Sequence, residues 1–306
     1  MKFNECSFAL ITRKKGLAIQ VILLLSISCC SLNQIFAQAT LKVMTFNIRY
    51  NNPSDSIFNW DHRKSMVYEV FRESSPDLAG LQEVLNSQVK DLKSALKDYS
   101  VFGVGRDDGK EKGEYSLVMY RKSRFKLLDG STFWLSATPS VPGSKSWNTA
   151  CTRIVTWVKL KDKHTGESFF VFNTHFDHQS EQARTESARL LKSKIPEICG
   201  ESLVFITGDF NSTSRDTAYQ ILTGKDSPGP LTDARLQAPG IRIEPDYTFV
   251  GFPFSPAPGN QIDFIFTLNG GTVKVEDYHI ITYNRGGYYP SDHLPVMATF
   301  GSDKSK

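Results

Sequence analysis

Acids, amides and histidines recur in this chain where apolar runs begin or end. Leu41–Phe46 stops at Asn47 with Arg49 just beyond, Leu78–Leu81 leads into Glu83, Phe170–Phe172 leads to His175, and Leu203–Ile206 leads to Asp209 and Asn211. Asp263 opens a further apolar run, and Asp292-His293 precedes another at Leu294. Oxygen ligands from Glu83, Asn47 and Asp292 suit a hard divalent ion such as Mg²⁺, which keeps several of its waters. No Cys/His spacing of the structural-zinc kind is present. Phosphoryl chemistry needs a nucleophile, a group to take or relay its proton, and positive charge where the phosphate gains charge. A carboxylate-held cation, His175, His293 and the amides of Asn47 and Asn211 supply those functions. Asp263 could orient His293 as an acid orients the base of a hydrolase triad, and Gly208 would let the backbone at Asp209 come close to a substrate.

Other residues carry two readings each. Arg153, in Cys151-Thr-Arg-Ile-Val, faces a phosphate or forms a structural ion pair. Tyr115 and Trp147 stack on a base or sugar, or pack as ordinary aromatics. His178 reads as a residue that structures its loop. Phe249–Phe254 is a buried turn or the lining of a cleft.

Strands and helices must alternate to hold these groups. Apolar periodicity predicts helices over 62–73, capped by Asp61, over 88–96 and over 183–198. Strands are expected at 41–48, 78–81, 116–120, 131–135, 153–160, 169–174 and 203–207, then at 262–268, 273–282 and 296–300. Residues 228–260, rich in Pro and Gly, read as loops around a site, with a short strand at 248–250. No long Ser/Gly/Pro linker follows residue 40, so residues 40–306 read as one α/β domain.

The first 39 residues have the order of a secretory leader: Arg13-Lys-Lys15, an apolar stretch from Leu17 to Ile27, then the small residues of Ala37-Gln-Ala39. That apolar stretch is short for a permanent membrane span. Secreted or periplasmic localisation is therefore expected, with no stable membrane insertion after cleavage. Of 36 basic and 32 acidic residues in the whole chain, four and one lie before residue 40, so the net charge of +4 falls to +1 afterwards. Such a balance makes no case for a strong field attracting polyanions. A hydrophobic content of 40% and a charged content of 22% exclude a disordered chain. After the leader only Cys151 and Cys199 remain, expected as two buried thiols.

Taken together, Thr45-Phe-Asn-Ile-Arg49, Gly80-Leu-Gln-Glu83, Asn173-Thr-His175, Thr207-Gly-Asp-Phe-Asn211, Ile262-Asp-Phe-Ile-Phe266 and Ser291-Asp-His-Leu-Pro295 resemble the endonuclease/exonuclease/phosphatase family in content and order. The resemblance spans residues 41 to 300. It implies a four-layer α-β-β-α sandwich of two packed, mostly antiparallel β-sheets flanked by helices, and a metal-dependent hydrolase of phosphoesters. It further implies Glu83 as principal Mg²⁺ ligand (Mn²⁺ as substitute), with Asn47 and Asp292 near the metal. Asp209 and Asn211 would position the attacking water or the phosphate. His293, oriented by Asp263, would be general base or electrostatic partner, and His175 would contact the phosphate or protonate the leaving group. Asn47, Arg49, Arg153 and Tyr115 are the expected substrate contacts. Arg49 after Asn47 resembles pancreatic-type deoxyribonucleases; abasic-site endonucleases carry an acid there and a Tyr at the position of His175. Gly259–Phe264 lacks the Trp and Arg of inositol-polyphosphate phosphatases.

The function expected on these grounds is a secreted, Mg²⁺-dependent phosphodiesterase, a nuclease first. A phospholipase-C or sphingomyelinase-like enzyme and a small-molecule phosphatase are its alternatives on the same fold. A non-catalytic protein that holds a phospho-ligand or glycan is the rival of another class, disfavoured because no residue of the site has been lost. The expected partner is a phosphoester, nucleic acid included, and no obligate protein partner is implied.

Overall fold

Period-two alternation in the central strands decides the architecture. The computed structural model describes residues 40–225, 229–240, 245–271 and 273–302, so the expected leader and part of the 228–260 stretch lie outside the described residues. One sheet is built from β1 (Leu41–Asn47), β2 (Leu78–Val84), β3 (Tyr99–Phe102), β4 (Tyr115–Arg121), β11 (Val273–Ile280) and β12 (Val296–Ser302). The other contains β5 (Phe125–Trp134), β6 (Ile154–Asp162), β7 (Ser168–His175), β8 (Val204–Asp209), β9 (Thr232–Asp233) and β10 (Asp263–Leu268). Their orders are β11-β12-β1-β2-β4-β3 and β5-β6-β7-β8-β10-β9. Each sheet has one parallel pair at its centre, β1 with β2 and β7 with β8, and is otherwise antiparallel.

Successive side chains on a strand point to opposite faces. Met44, Phe46, Ala79 and Leu81 therefore pack outward against Trp60, Val67, Val70 and Phe71 of α1 (Trp60–Ser74) and Val89 and Leu92 of α2 (Asn86–Ala95). On the second sheet Phe170, Phe172, Val204 and Ile206 pack against Ala188, Leu191 and Ile195 of α3 (Glu181–Cys199) and Leu222 of α4 (Thr217–Thr223). Between the sheets lies a third cluster, including Val43, Leu78, Val118, Val158, Val171, Phe205, Ile265, Val296 and Phe300. Helices, sheet, sheet, helices is the expected four-layer sandwich. Among the described residues no helix is long and apolar enough to cross a membrane.

The inward stripe of each central strand changes chemistry along its length. On β1 it reads Leu41, Val43, Thr45, Asn47; on β7 Phe169, Val171, Asn173, His175; on β8 Phe205, Thr207, Asp209. Between the apolar and the ionisable levels lies a buried amide layer. Gln82 Nε2 donates to Asn173 Oδ1 at 2.6 Å and to Thr45 Oγ1 at 3.1 Å. Asn173 Nδ2 crosses to the other sheet, donating to Leu81 O at 2.8 Å and Leu117 O at 2.9 Å. Gly80 faces this layer without a Cβ, which would collide with Thr207 Oγ1 and Asn173 Oδ1.

Several expected elements shift. Helix α1 begins two residues earlier than the periodicity suggested, with Asn59 at its N-cap; Asp61 sits in the first turn and pairs with Lys64 Nζ at 2.7 Å. The strand expected at 131–135 is the end of the ten-residue β5, whose alternation is broken by a bulge between Leu127 and Asp129. The short strand at 248–250 reduces to a single bridge between Phe249 and His293. Both cysteines among the described residues are free, but Cys151 is only half-buried because it stands at a cleft rather than in the core.

Candidate active site

Parallel β1/β2 and β7/β8 bring four strand C-termini to one edge of the sandwich. Antiparallel β10 and β12 bring their beginnings there, so Asp209 lies opposite both His175 and Asp263 in register. At three of these strand ends the backbone turns through the left-handed region: Arg49 (φ 55°), Glu83 (φ 61°) and Asn211 (φ 46°). Non-glycine residues in that conformation are uncommon and mark places where the surroundings hold the chain against its preference. Glu83 reaches it inside the irregularity between Leu81 and Val84, which aims its carboxylate into the cleft.

Asp209 Oδ2 is the meeting point. It accepts from Asn47 Nδ2 at 3.0 Å and lies 3.4 Å from His175 Nε2 and 3.7 Å from His293 Nε2. Its other oxygen accepts the Asn211 N–H at 2.9 Å. Asn47 Nδ2 is also 3.1 Å from Glu83 Oε1, so Glu83 and His293 face one space. His293 Nδ1 meets Asp263 Oδ2 at 2.9 Å. Ser291 Oγ donates to Asn47 O at 2.7 Å and ties the loop carrying Asp292 and His293 to the end of β1.

The charges are unevenly shared. Burial alone would lower the His293 pKa, but the carboxylates of Asp263 and Asp209 more than offset it and hold the imidazole well above its ordinary value. Asp209 is pushed up by burial and by the neighbouring charge of Asp263. His175 is driven the other way, first by burial and then by Arg153 and Arg106, and so stays neutral. Asp292 and Glu114 are both raised by burial, with the charge of Glu83 adding to each. Opposite shifts in adjacent groups separate proton acceptors from proton holders.

Of the expected substrate contacts, Asn47, Arg49 and Arg153 are at the site and Tyr115 is not. Tyr115 is buried against the helix-covered face of its sheet and gives its hydroxyl to Lys110 O at 3.0 Å, leaving no ring face for a ligand. Arg49 lines the cleft with its guanidinium already engaged by Asp55 at 2.9 and 3.0 Å, and stands 3.8 Å from Glu83 and 3.9 Å from Asp292. Arg153, 4% exposed, contacts His178 Nδ1 at 3.0 Å and lies 3.8 Å from Asp177. Its Nε and Nη1 are buried without a hydrogen-bond partner, as is Arg106 Nε. Buried N–H groups without a hydrogen bond are uncommon and costly; the two Nε groups have only the more distant charges of Asp177 at 3.8 Å and Asp107 at 3.9 Å.

Two residues of the cleft were given no role from the sequence. Arg106 and Glu114, joined at 2.7 Å, enter on the loop between β3 and β4, and Glu114 Oε2 comes within 4.0 Å of His175 Nδ1. A signal was present in Gly105-Arg-Asp-Asp-Gly109 and Gly113-Glu114, since Gly109 and Gly113 adopt positive φ in folding that loop back over the cleft. His178 stands exposed at the cleft with Nδ1 3.0 Å from Arg153, and Asp177 is the organiser of the loop. Its carboxylate accepts from Thr149 Oγ1 at 2.8 Å and from the backbone of Ala150, Gln179 and Ser180 at 3.0, 3.0 and 2.8 Å.

Two donor sets fit a cation. Asp209, Asp263 and His293 place one ligand atom each within 4.8 Å of one another. Glu83, Asp292 and Asn47 form the oxygen-only set anticipated from the sequence, in which buried like charges lean on Arg49 for relief. Hard cations select oxygen donors, whereas imidazole in a site favours transition metals. Asn47 offers its oxygen only in part, because Oδ1 already accepts the Arg49 N–H at 3.0 Å. The whole cleft has a volume of about 860 Å³ and is also lined by Tyr50, Asn51, Phe249 and Asn260.

The model of the Endonuclease/Exonuclease/phosphatase family matches residues 44–293. A solved endonuclease/exonuclease/phosphatase from Bacteroides vulgatus is 40% identical with a TM-score of 0.80, covering 87% of this chain and 100% of that one. A mannosyl-6-phosphatase from Bacteroides thetaiotaomicron is 35% identical with a TM-score of 0.77, over 85% of this chain and 99% of that one. Uncharacterized protein L388 of Acanthamoeba polyphaga mimivirus is 26% identical over 193 residues, which is 57% of this chain and 68% of that protein. Other curated relatives, the exoribonuclease subunit Ccr4 among them, are longer, and the chain spans 30–42% of their length.

Proposed function

The chain belongs to the endonuclease/exonuclease/phosphatase family, and from that premise we propose that it is a secreted, Mg²⁺-dependent phosphatase that hydrolyses small phosphomonoesters. The observation that carries this reading is the pair of arginines, Arg153 and Arg106, that line the His175 side of the cleft with buried guanidinium N–H groups making no hydrogen bond. A terminal phosphate brings nearly two negative charges and three acceptor oxygens, and planar guanidinium groups are the donors that match it. Polynucleotide binding instead draws on rows of lysines and arginines along a groove. Among the described lining residues there is no lysine, and Arg49, Arg106 and Arg153 face the carboxylates of Glu83, Asp107, Glu114, Asp209 and Asp292.

When bound at Glu83 and Asp292, the cation supplies Lewis-acid polarisation of the phosphate and relief of buried negative charge. The side chains do the rest. Asp209, held up in pKa and central to the hydrogen bonds, takes the proton of an attacking water that Asn211 and Asn47 position. His293, kept protonated between Asp263 and Asp209, presents Nε2–H to the phosphate. Arg153 and Arg106, which line the cleft, offer their guanidinium charge to its terminal oxygens. The neutral His175 stands beside Glu114, whose pKa burial raises, and this pair is placed to hand a proton to the leaving alcohol.

A nuclease is the second reading, and Phe249 favours it. This residue is 37% exposed at the cleft, with its ring edge-on to His293 at 5.0 Å, where a base could stack. The test is phosphate or nucleotide release from hexose phosphates, nucleoside monophosphates, DNA and RNA, with and without EDTA. EDTA-sensitive phosphate release from a small monoester supports the proposal. Turnover confined to DNA or RNA selects the second reading, and no EDTA-sensitive turnover on any of them defeats both.

A further inference from the structure

We propose that Arg63, outside the cleft and outside the sequence motifs, is the positioning residue that holds the two site-bearing loops in register. The proposal rests on the phosphoesterase reading for its kinetic consequence but not for its structural one. Arg63 lies on α1 and is 1% exposed. Among the described residues its guanidinium meets no carboxylate within hydrogen-bond reach and instead collects backbone carbonyls. Nη1 donates to Ile48 O at 2.8 Å and to Pro290 O at 2.6 Å, Nε to Phe58 O at 2.5 Å, and Nη2 to Arg49 O at 3.3 Å.

Those partners are not scattered. Ile48 and Arg49 directly follow Asn47, while Pro290 directly precedes Ser291, Asp292 and His293. One planar cation therefore bridges the loop carrying Asn47 to the loop carrying Asp292 and His293. Gln88 Nε2 donates to the same Arg49 carbonyl at 2.9 Å, so the first loop is held from both helices of its layer. One face of the guanidinium lies over Phe252, 5.4 Å from the ring centroid, on the segment that brings Phe249 against His293. Burial draws the Arg63 pKa down to about 10, which leaves it charged at neutral pH. Only a fixed fork of five donors can serve carbonyls in these directions; a lysine ammonium carries the charge without the fork.

A cavity of about 330 Å³, lined by Arg63 with Ile57, Phe58, His62 and Tyr288, opens beside this group. It gives a small cation a path to the space that truncation would leave, and this makes the proposal testable by chemical rescue. In the full chain, Arg63→Ala is expected to lower kcat about a hundredfold and Arg63→Lys about tenfold. Millimolar methylguanidinium should restore at least tenfold of the Arg63→Ala loss, and methylammonium at equal ionic strength should not. Hydrogen exchange gives a readout independent of turnover: amides at 48–50 and 291–294 should exchange faster in Arg63→Ala, with β7 unchanged, and slow again with methylguanidinium. Wild-type kcat in a folded Arg63→Ala, equal rescue by methylammonium, or exchange accelerated uniformly across the sheets would each overturn the proposal. Should Arg63→Ala not fold, Arg63→Lys carries the same kinetic and exchange comparison. If the wild type turns over no phosphoester, the proposed function fails while the exchange result still judges the clip.

Discussion

The same two sheets enclose two regions of opposite character. At one end Val43, Leu78, Val158, Val171 and Phe205 meet as a dry core; at the other Asn47, Glu83, His175, Asp209 and His293 meet around a cleft. The same strands run through both, but at the polar end the backbone also turns through the left-handed region at Arg49, Glu83 and Asn211. What differs is the currency of cohesion. The apolar end is held by area removed from water and by close packing. The polar end keeps buried charges in place through hydrogen bonds and depends on the amide layer of Gln82, Asn173 and Thr207 to separate the two. Stability is thus concentrated at one end of the strands and chemistry at the other.

That division can be broken from either side. Truncating the apolar end, as in Phe205→Ala, should cost about 3–5 kcal/mol of stability in denaturant unfolding. The kcat of the protein that remains folded should be unchanged. Removing a charge from the polar end should do the reverse: Glu83→Ala should cost about 3 kcal/mol or more of transition-state stabilisation, read from kcat/KM, with little change in the unfolding midpoint. A Glu83→Ala variant that loses stability but keeps its activity would erase the distinction.

The layer between them should show both effects at smaller size. Asn173→Leu removes the partner of two backbone carbonyls of the opposite sheet and one of the bonds of the Gln82 amide, so a stability loss of about 2 kcal/mol is expected, accompanied by a measurable fall in kcat. The pH profile sharpens the comparison further. Asp209 must be deprotonated to accept the water's proton, and its pKa is raised by burial and by Asp263. Activity should therefore rise with pH along a limb lying above the ordinary carboxylate range, about tenfold per pH unit on its steep side. It should fall again where His293, raised by Asp263 and Asp209, loses its proton. Asp263→Asn should move that alkaline limb to lower pH.

How much of this could be read beforehand follows the same line. The strand ends were legible because an acid or histidine after a buried apolar run has no packing reason to be there. Asn47, Glu83, His175, Asp209, Asp263 and His293 converge for that reason. The sandwich was legible from the resemblance of the six motifs, and the apolar pattern alone gave only a single α/β domain. Tyr115 misled because an aromatic at a strand start reads equally as platform or core, and only packing distinguishes them. Arg106 and Glu114 were hidden because loops lack the periodicity that flags a face, and Arg63 because its partners are carbonyls, which leave no trace in residue type. The amide layer could have been seen in the period-two stripe at Thr45, Asn173 and Thr207, where a hydroxyl or amide interrupts an otherwise buried series.

The central claim is that the polar end is a cation-assisted phosphomonoester site, and it is most directly tested by comparing two model esters. Turnover of p-nitrophenyl phosphate and bis(p-nitrophenyl) phosphate would be measured side by side with Mg²⁺, with EDTA, and for Arg153→Met. The expected result is faster hydrolysis of the monoester, loss of both activities with EDTA, and a larger loss on the monoester than on the diester in Arg153→Met. Faster hydrolysis of the diester, or monoester turnover indifferent to EDTA, would contradict it.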